Sequence, residues 1–265
     1  MPTTHHSFAT PEPITLHLQS NRGTVEVVAD DTTETTVDIT GPRADPPVRV
    51  EISRDGRTVW VEPQRRLGLH DRLAITVRLP AGSELDLHTA SADVAVQGPV
   101  GEARIHTASG AIRVDHVRGA SDLKTASGSV RIGAADGVVG FQSASGSLHV
   151  DRAGAGCSAK TASGSVTVGL TDGDIAANTV SGRIDVGEAH RGALDLRATS
   201  GSVGVGVRQG TLVWYEVSSL SGRVQSTLRN EDPAPRPDAA PLSVRARTVS
   251  GSISFSSVSS GAIAL

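Results

Sequence analysis

Apolar and polar residues alternate along most of this chain, and the alternation itself repeats. Apolar residues two positions apart recur as Val94/Val96, Ile112/Val114, Val130/Ile132, Leu148/Val150, Val166/Val168, Ile184/Val186, Val203/Val205, Val224/Ser226 and Ile253/Phe255. Seventeen of these eighteen positions are apolar, and Ser226 is the exception. Between them runs a second series: Leu87, Ile105, Leu123, Phe141, Ala159, Ala177, Leu196, Val217 and Ala246. A period of two built largely from β-branched residues predicts strands with one buried face.

A tetrapeptide of the form Thr-Ala-Ser-Gly punctuates the strands. Its Ser falls at Ser91, Ser109, Ser127, Ser145, Ser163, Ser181, Ser200, Ser221 and Ser250, with spacings of 18, 18, 18, 18, 18, 19, 21 and 29. Thr or Ser stands two residues earlier in eight of the nine repeats, and Ala198 is the ninth. Gly recurs in the other connection at Gly101, Gly119, Gly137, Gly173, Gly192 and Gly210. One such unit cannot bury its apolar face, whereas stacked units can. The expected fold is therefore all-β, a parallel β-solenoid (β-helix) with about 18 residues and two strands per rung. Apolar anchors repeat every nine residues rather than every six, which favours two long faces over a triangular section. Carried through the tetrapeptide, the same parity places Thr107, Ser109, Thr125, Ser127, Thr161, Ser163, Thr179 and Ser181 on one inner edge as a hydroxyl ladder. Gly at the corners is expected to supply positive φ where the chain reverses.

The flanks are less regular. Residues 1–13 are polar and read as a flexible leader. Residues 14–85 hold runs such as TVEVVAD, VRVEIS and TVWVEP and read as irregular β-rich rungs that cap the core. Asp55-Gly56 between two alternating runs predicts a hairpin. Residues 86–265 carry the regular repeats, interrupted at 229–241 by RNEDPAPRPDAAP, whose four Pro predict an exposed loop. The last sixteen residues have no charged side chain, so Ile253, Phe255 and Ile263 form a candidate assembly edge.

Composition narrows the chemistry. One Cys in 265 residues supports neither a disulfide framework nor a Cys-based zinc site. A net charge of -3 argues against a nucleic-acid surface, and six aromatics leave no stacking platform. No run reaches the roughly 18 apolar residues of a membrane helix, so no integral membrane segment is expected. The first twenty residues lack a basic start and an apolar core, which gives a cytoplasmic expectation. Ser121–Lys124 spells S-x-x-K, but that motif needs a helical turn, and a strand points the two side chains to opposite faces. No cofactor, metal ion or catalytic set is expected, and a polymer-acting enzyme is the remote alternative.

One outward column stands out. The residues just before the Thr positions are His88, His106, Lys124, Gln142, Lys160, Asn178 and Arg197, continued by Ser218 and Arg247. This polar to basic stripe is a candidate binding strip for an anionic partner, and equally the solvated face that any soluble solenoid presents. His88 and His106 fall on adjacent rungs without a third metal ligand. Trp214, of opposite parity to Tyr215, points outward as a contact or lies under the Pro-rich loop.

The run VRLPAGSELDLHTASADVAV, followed by TASGSVRI and TVSGRIDV, resembles the bacterial "putative adhesin" family of β-strand-repeat proteins. The shared pattern is a strand ending in Leu-Pro, here Leu79-Pro80, and then alternating strands punctuated by Ser-Gly. The resemblance covers about residues 14–265. It implies a parallel β-solenoid, carries over no catalytic residues, and links the chain with adhesin-like or envelope-stress systems. The expected function is a non-enzymatic scaffold or interaction module with an unknown protein partner. The alternative is self-assembly through the C-terminal rung, into a dimer or a bactofilin-like filament.

Overall fold

A computed structural model describes residues 2–42, 48–63, 72–228 and 241–258. Every regular element among them is a β-strand, and no helix is long and apolar enough to cross a membrane. The strands form two compact units, residues 1–137 and 138–265.

The N-terminal unit holds β1 (Thr3–Ala9), β2 (Thr15–Asp30), β3 (Glu34–Thr40), β4 (Val48–Ile52), β5 (Thr58–Pro63) and β6 (Leu73–Pro80). It continues with β7 (Glu84–Val100), β8 (Ala103–Thr107), β9 (Ile112–Val117), β10 (Ser121–Thr125) and β11 (Val130–Ala135). From β7 onward the pairing is parallel and one rung apart. β10 lies beside β8 with Leu123 over Ile105, and β11 lies beside β9 with Ile132 over Val114. The long β7 spans a whole rung, pairing first with β8 and then with β9. The long β2 runs parallel along β7, with Leu16 opposite Leu85 and Val27 opposite Val96. These inward residues are all buried, which is the apolar face that the two-residue period predicts.

Before β7 the parallel pattern gives way. β3 pairs antiparallel with β6, β1 with β3, and β4 with β5. The β4–β5 reversal is the hairpin expected at Asp55-Gly56, where Gly56 takes φ +70°. The expectation of a flexible leader fails over residues 3–9, which form the edge strand β1. An edge strand needs a backbone ladder and cross-strand polar pairs rather than a large apolar face. Here the Thr3 and Thr40 hydroxyls lie 2.9 Å apart, and His5 Nδ1 lies 2.7 Å from Asp38.

The C-terminal unit holds β12 (Val139–Ser143), β13 (Leu148–Ala153), β14 (Gly156–Thr161), β15 (Val166–Thr171), β16 (Asp174–Thr179) and β17 (Ile184–Ala189). It ends with β18 (Gly192–Ala198), β19 (Val203–Arg208), β20 (Val213–Ser221), β21 (Val224–Ser226), β22 (Leu242–Ser250) and β23 (Ile253–Val258). One sheet stacks β12, β14, β16, β18, β22 and β20 in that order. The other stacks β13, β15, β17, β19, β23 and β21.

Chain order and spatial order therefore part company after β19. The last rung in sequence, β22/β23, sits between β18/β19 and β20/β21. Leu196 stacks on Ala246 and Ala246 on Val217; Val205 stacks on Phe255 and Phe255 on Ser226. The candidate assembly edge at Ile253 and Phe255 is thereby overturned. Both are covered by strands on either side and are 0% and 2% exposed. Ile263 and residues 229–240 of the expected loop lie outside the described residues.

The hydroxyl ladder holds for Thr and fails for Ser. Thr107, Thr125, Thr161 and Thr179 are buried, whereas Ser109, Ser127, Ser163 and Ser181 are exposed. The strands end at Thr, so the next two residues turn the corner and the two-residue parity no longer applies. The Thr hydroxyl closes that turn at three of these four corners. It accepts from the Gly amide three residues on, at 3.0 Å for Thr107–Gly110, 2.8 Å for Thr125–Gly128 and 3.1 Å for Thr161–Gly164. Thr161 and Thr179 also donate to the Gly146 and Gly164 carbonyls of the preceding rung, both at 3.2 Å. Crowding, not φ, demands these glycines. A Cβ on Gly164 would lie 1.8 Å from the Gly146 carbonyl oxygen, and none of the Ser-Gly glycines has positive φ. In the other connection the expected positive φ is found at Gly192 and Gly210 but not at Gly101, Gly119, Gly137 or Gly173, where a Cβ would instead crowd the neighbouring rung.

Candidate interaction site

The outward column lies in register within each unit, but its character differs between them. In the N-terminal unit His88, His106 and Lys124 stand side by side on β7, β8 and β10. Each faces an acid two residues back along a strand. His88 Nε2 is 3.0 Å from Asp86, Lys124 Nζ is 2.8 Å from Asp122, and His106 Nε2 is 3.6 Å from Asp122. Burial pushes the Asp122 carboxyl up. The hydrogen bond and charge of Lys124, with His106 beside it, outweigh burial and hold it below its ordinary range. The two imidazole rings meet edge-on with centroids 5.0 Å apart. No group of three His, Cys, Asp or Glu side chains that could hold a metal ion occurs among the described residues. This part of the column is a self-neutralised face.

In the C-terminal unit Gln142, Lys160, Asn178 and Arg197 align on β12, β14, β16 and β18. Arg247 comes next and Ser218 last, the reverse of their chain order. Asp195 binds Arg197 through two hydrogen bonds of 3.0 and 2.6 Å. Glu216 clamps Arg245 and Arg247 at 3.0 and 2.8 Å. Lys160 has no acidic partner among the described residues. The positions two residues before Gln142, Lys160 and Asn178 are Gly140, Ser158 and Ala176, so its floor is flat and small.

The other reactive groups are tied down. Ser121 points into the core and Lys124 outward, as expected for a strand. Cys157 is buried, which pushes its thiol up to about 12 and leaves no thiolate at neutral pH. His190 sits between Asp172 at Nδ1 and Glu188 at Nε2, both at 2.8 Å, so the donors face away from one another and converge on no common point.

The outermost rung of the C-terminal unit is different. β20 has β22 on one side and, among the described residues, no strand on the other; β21 is related to β23 in the same way. Leu242 N donates to the Leu212 carbonyl at 2.9 Å. Alternation along the strand then turns the backbone groups of Trp214, Glu216 and Ser218 toward β22. Those of Val213, Tyr215, Val217 and Ser219 turn toward the open side. Large apolar side chains are exposed here: Leu220 at 84%, Trp214 at 68%, Tyr215 at 58% and Val224 at 51%. The Tyr215 ring covers Phe255 with centroids 5.6 Å apart, and among the described residues no further ring covers Tyr215. Trp214 is thus an exposed outward residue, one of the two placements open from its parity. Val224, expected on the buried face, is exposed instead, and the exposure of Tyr215 and Leu220 escaped the sequence reading. The signal that marks their rung is Ser226, the one polar residue among the eighteen paired positions.

Several solved structures resemble the chain. A putative adhesin from Parabacteroides distasonis is 13% identical, with 96% of each chain covered and a TM-score of 0.46. A putative adhesin from Bacteroides fragilis is 12% identical, with 97% of each chain covered and a TM-score of 0.46. A putative lipid binding protein from Parabacteroides distasonis is 13% identical over 97% of each chain, with a TM-score of 0.34. No curated protein matches the sequence. The sequence model of one family spans residues 14–256, from β2 through β23 and including the repeated Ser-Gly corners, and the chain belongs to that family, Toastrack DUF4097.

Proposed function

We propose that this chain is a non-catalytic interaction module that takes up a partner strand along the open side of β20. The observation that carries the reading is the union of two features on one rung. A backbone ladder with no partner among the described residues lies beside the exposed side chains of Trp214, Tyr215, Leu220 and Val224. Soluble proteins usually blunt such an edge with Lys, Pro or a covering element. Strand addition satisfies the backbone groups and buries the side chains at once.

The test uses a fluorescent peptide of residues 213–221 as the probe strand. Val217→Pro removes an amide on the open side without touching the ladder to β22. The variant is expected to keep its circular dichroism and to bind the peptide at least tenfold more weakly. Undiminished binding by this variant sinks the edge-pairing reading.

A second contact is favoured by Lys160, an uncompensated cation on a flat floor of Gly140, Ser158 and Ala176. It suits an anionic partner. Lys160→Glu is expected to weaken retention on polyglutamate or heparin resin while Lys124→Glu, within its own ion-pair network, changes it less. Equal effects of the two substitutions remove this reading.

A further inference from the structure

We infer that the strand taken up by β20 is β20 of a second copy of this chain, paired antiparallel about a two-fold axis through Val217. This rests on the edge-pairing reading above and adds the identity of the partner and the register. Val217 is the central residue of the nine in β20, so this register alone pairs the strand over its full length. It also agrees with the direction of the backbone groups. Val217 meets its own copy as a hydrogen-bonded pair, flanked by Tyr215 with Ser219 and Val213 with Ser221, all residues whose backbone groups face the open side.

The intervening pairs are those whose side chains approach most closely, with Cα atoms about 4.5 Å apart. In this register they are Trp214 with Leu220 and Glu216 with Ser218. Trp214 and Leu220, the two most exposed large apolar side chains among the described residues, cover one another twice across the axis. The single charge of the strand meets a hydroxyl, and it is already held by Arg245 and Arg247.

Neighbouring registers lose these matches. Moving the axis to Glu216 sets the two carboxylates against each other and shifts Leu220 from Trp214 to Leu212, one residue before the strand begins. Moving it to Ser218 sets Glu216 against Leu220 and puts Trp214 beyond the strand, opposite Gly222. Cross-strand apolar pairs stabilise and like charges directly opposite destabilise, so the Val217 register is selected on both counts. The isologous geometry closes as a dimer rather than growing into a filament.

Light scattering after size exclusion, across a concentration series, reads the state directly. The expected result is twice the chain mass at high concentration, with no growth beyond it. Leu220→Asp should raise the dissociation constant at least tenfold by replacing both Leu220–Trp214 apolar contacts with carboxylates set against the negative ring faces. A cysteine pair gives the register. Val217→Cys should form a disulfide-linked dimer on oxidation, because residue 217 meets itself within the usual Cα range for a disulfide, roughly 4.4–6.8 Å. Trp214→Cys should not, because residue 214 meets residue 220.

A mass of one chain at every concentration overturns the inference, as does growth past the dimer or equal cross-linking of the two cysteine variants. If the chain is monomeric but the peptide still binds and Val217→Pro still abolishes binding, the edge is an interaction site for another protein and only the second copy is excluded. If a dimer forms and is indifferent to both Leu220→Asp and Val217→Pro, the edge-pairing reading fails with it.

Discussion

The two units finish their sheets in opposite ways. In the N-terminal unit the parallel stack is closed by strands that reverse direction: β3 and then β1 beyond β6, and β4 beyond β5. The marginal strands are polar or charged on their open faces. Arg49 and Glu51 pair at 2.6 Å on β4, and β1 bonds β3 through Thr3, His5 and Ser7. In the C-terminal unit the described residues stop on a parallel rung, with Trp214, Leu220 and Val224 exposed and no reversing strand among them. The first margin has the marks of an edge protected against further pairing; among the described residues the second carries one charge on β20, Glu216, and Arg245 and Arg247 already hold it. What separates a capped solenoid from an open one is therefore a handful of residues on the marginal strand, since the rungs behind both margins obey the same rules.

The sharpest way to break the comparison is at the Ser-Gly corner, because the same clash occurs inside the stack and at its margin. A Cβ at Gly164 would lie 1.8 Å from the Gly146 carbonyl, and one at Gly222 would lie 1.9 Å from the Gly251 carbonyl. Gly164 has rungs on both sides and cannot yield, so Gly164→Ala should cost about 3 kcal/mol. Gly222 lies on the rung with an open side and can shift outward, so Gly222→Ala should cost under about 1 kcal/mol. Urea unfolding of the two variants measures both, and equal losses would mean that the β20/β21 rung is as constrained as the interior.

A core residue next to each margin gives the second test. Val37 on β3 is fully buried with β1 on one side and β6 on the other, whereas Val217 is only partly covered. Val37→Ala should lose about 2 kcal/mol and Val217→Ala under about 0.5 kcal/mol, measured below the concentration at which the chain associates. A large loss at Val217 would show that the open rung is buried in solution even when the chain is dilute. In the other direction, Arg49→Val with Glu51→Val converts β4 into an apolar edge. Self-association should then appear at the N-terminal margin with little change in thermal stability, and light scattering would report it.

Much of this was legible in the residues. The rung length, the two strands per rung and the inward identity of Leu123, Ile132 and Val168 follow from the 18-residue spacing and the two-residue period, because one apolar face has only one way to be buried. The hairpin at Gly56 followed from turn chemistry. The exposed Ser109 and Ser127 did not, because parity was extended past the strand ends at Thr107 and Thr125, where the chain bends. The stacking order of the last two rungs was the deeper omission. Spacing along the chain orders repeats in sequence, while parallel pairing is indifferent to the order in which rungs are supplied, so β22 fits above β18 as well as β20 would. Only the quality of the rung distinguishes them. Ala246, Ile253 and Phe255 make an interior rung, whereas Val217, Val224 and Ser226 make one that buries little. The column of His88, His106 and Lys124 was found by position, but its neutralisation by Asp86 and Asp122 depends on side-chain reach across strands, which periodicity does not encode.

The smallest expected effect lies in the clamp that fastens β20 to β22. The Arg247 hydrogen bond, followed by that of Arg245, holds the Glu216 carboxyl below its ordinary value of 4.5. A carboxyl lowered in the folded state adds stability at neutral pH, and that contribution is lost as pH falls through its lowered value. The side chain is exposed and screened, so the global stability should hardly move. The local consequence is readable by hydrogen exchange. The amides of Trp214, Glu216 and Ser218, which face β22, should lose protection at acid pH earlier than those of β18. Glu216→Gln should lower their protection at neutral pH and flatten its pH dependence. If protection of β20 falls with pH equally in Glu216→Gln and in the unmodified chain, the clamp is not what holds this strand, and its attachment rests on the ladder to β22 and the contact of Tyr215 with Phe255 alone.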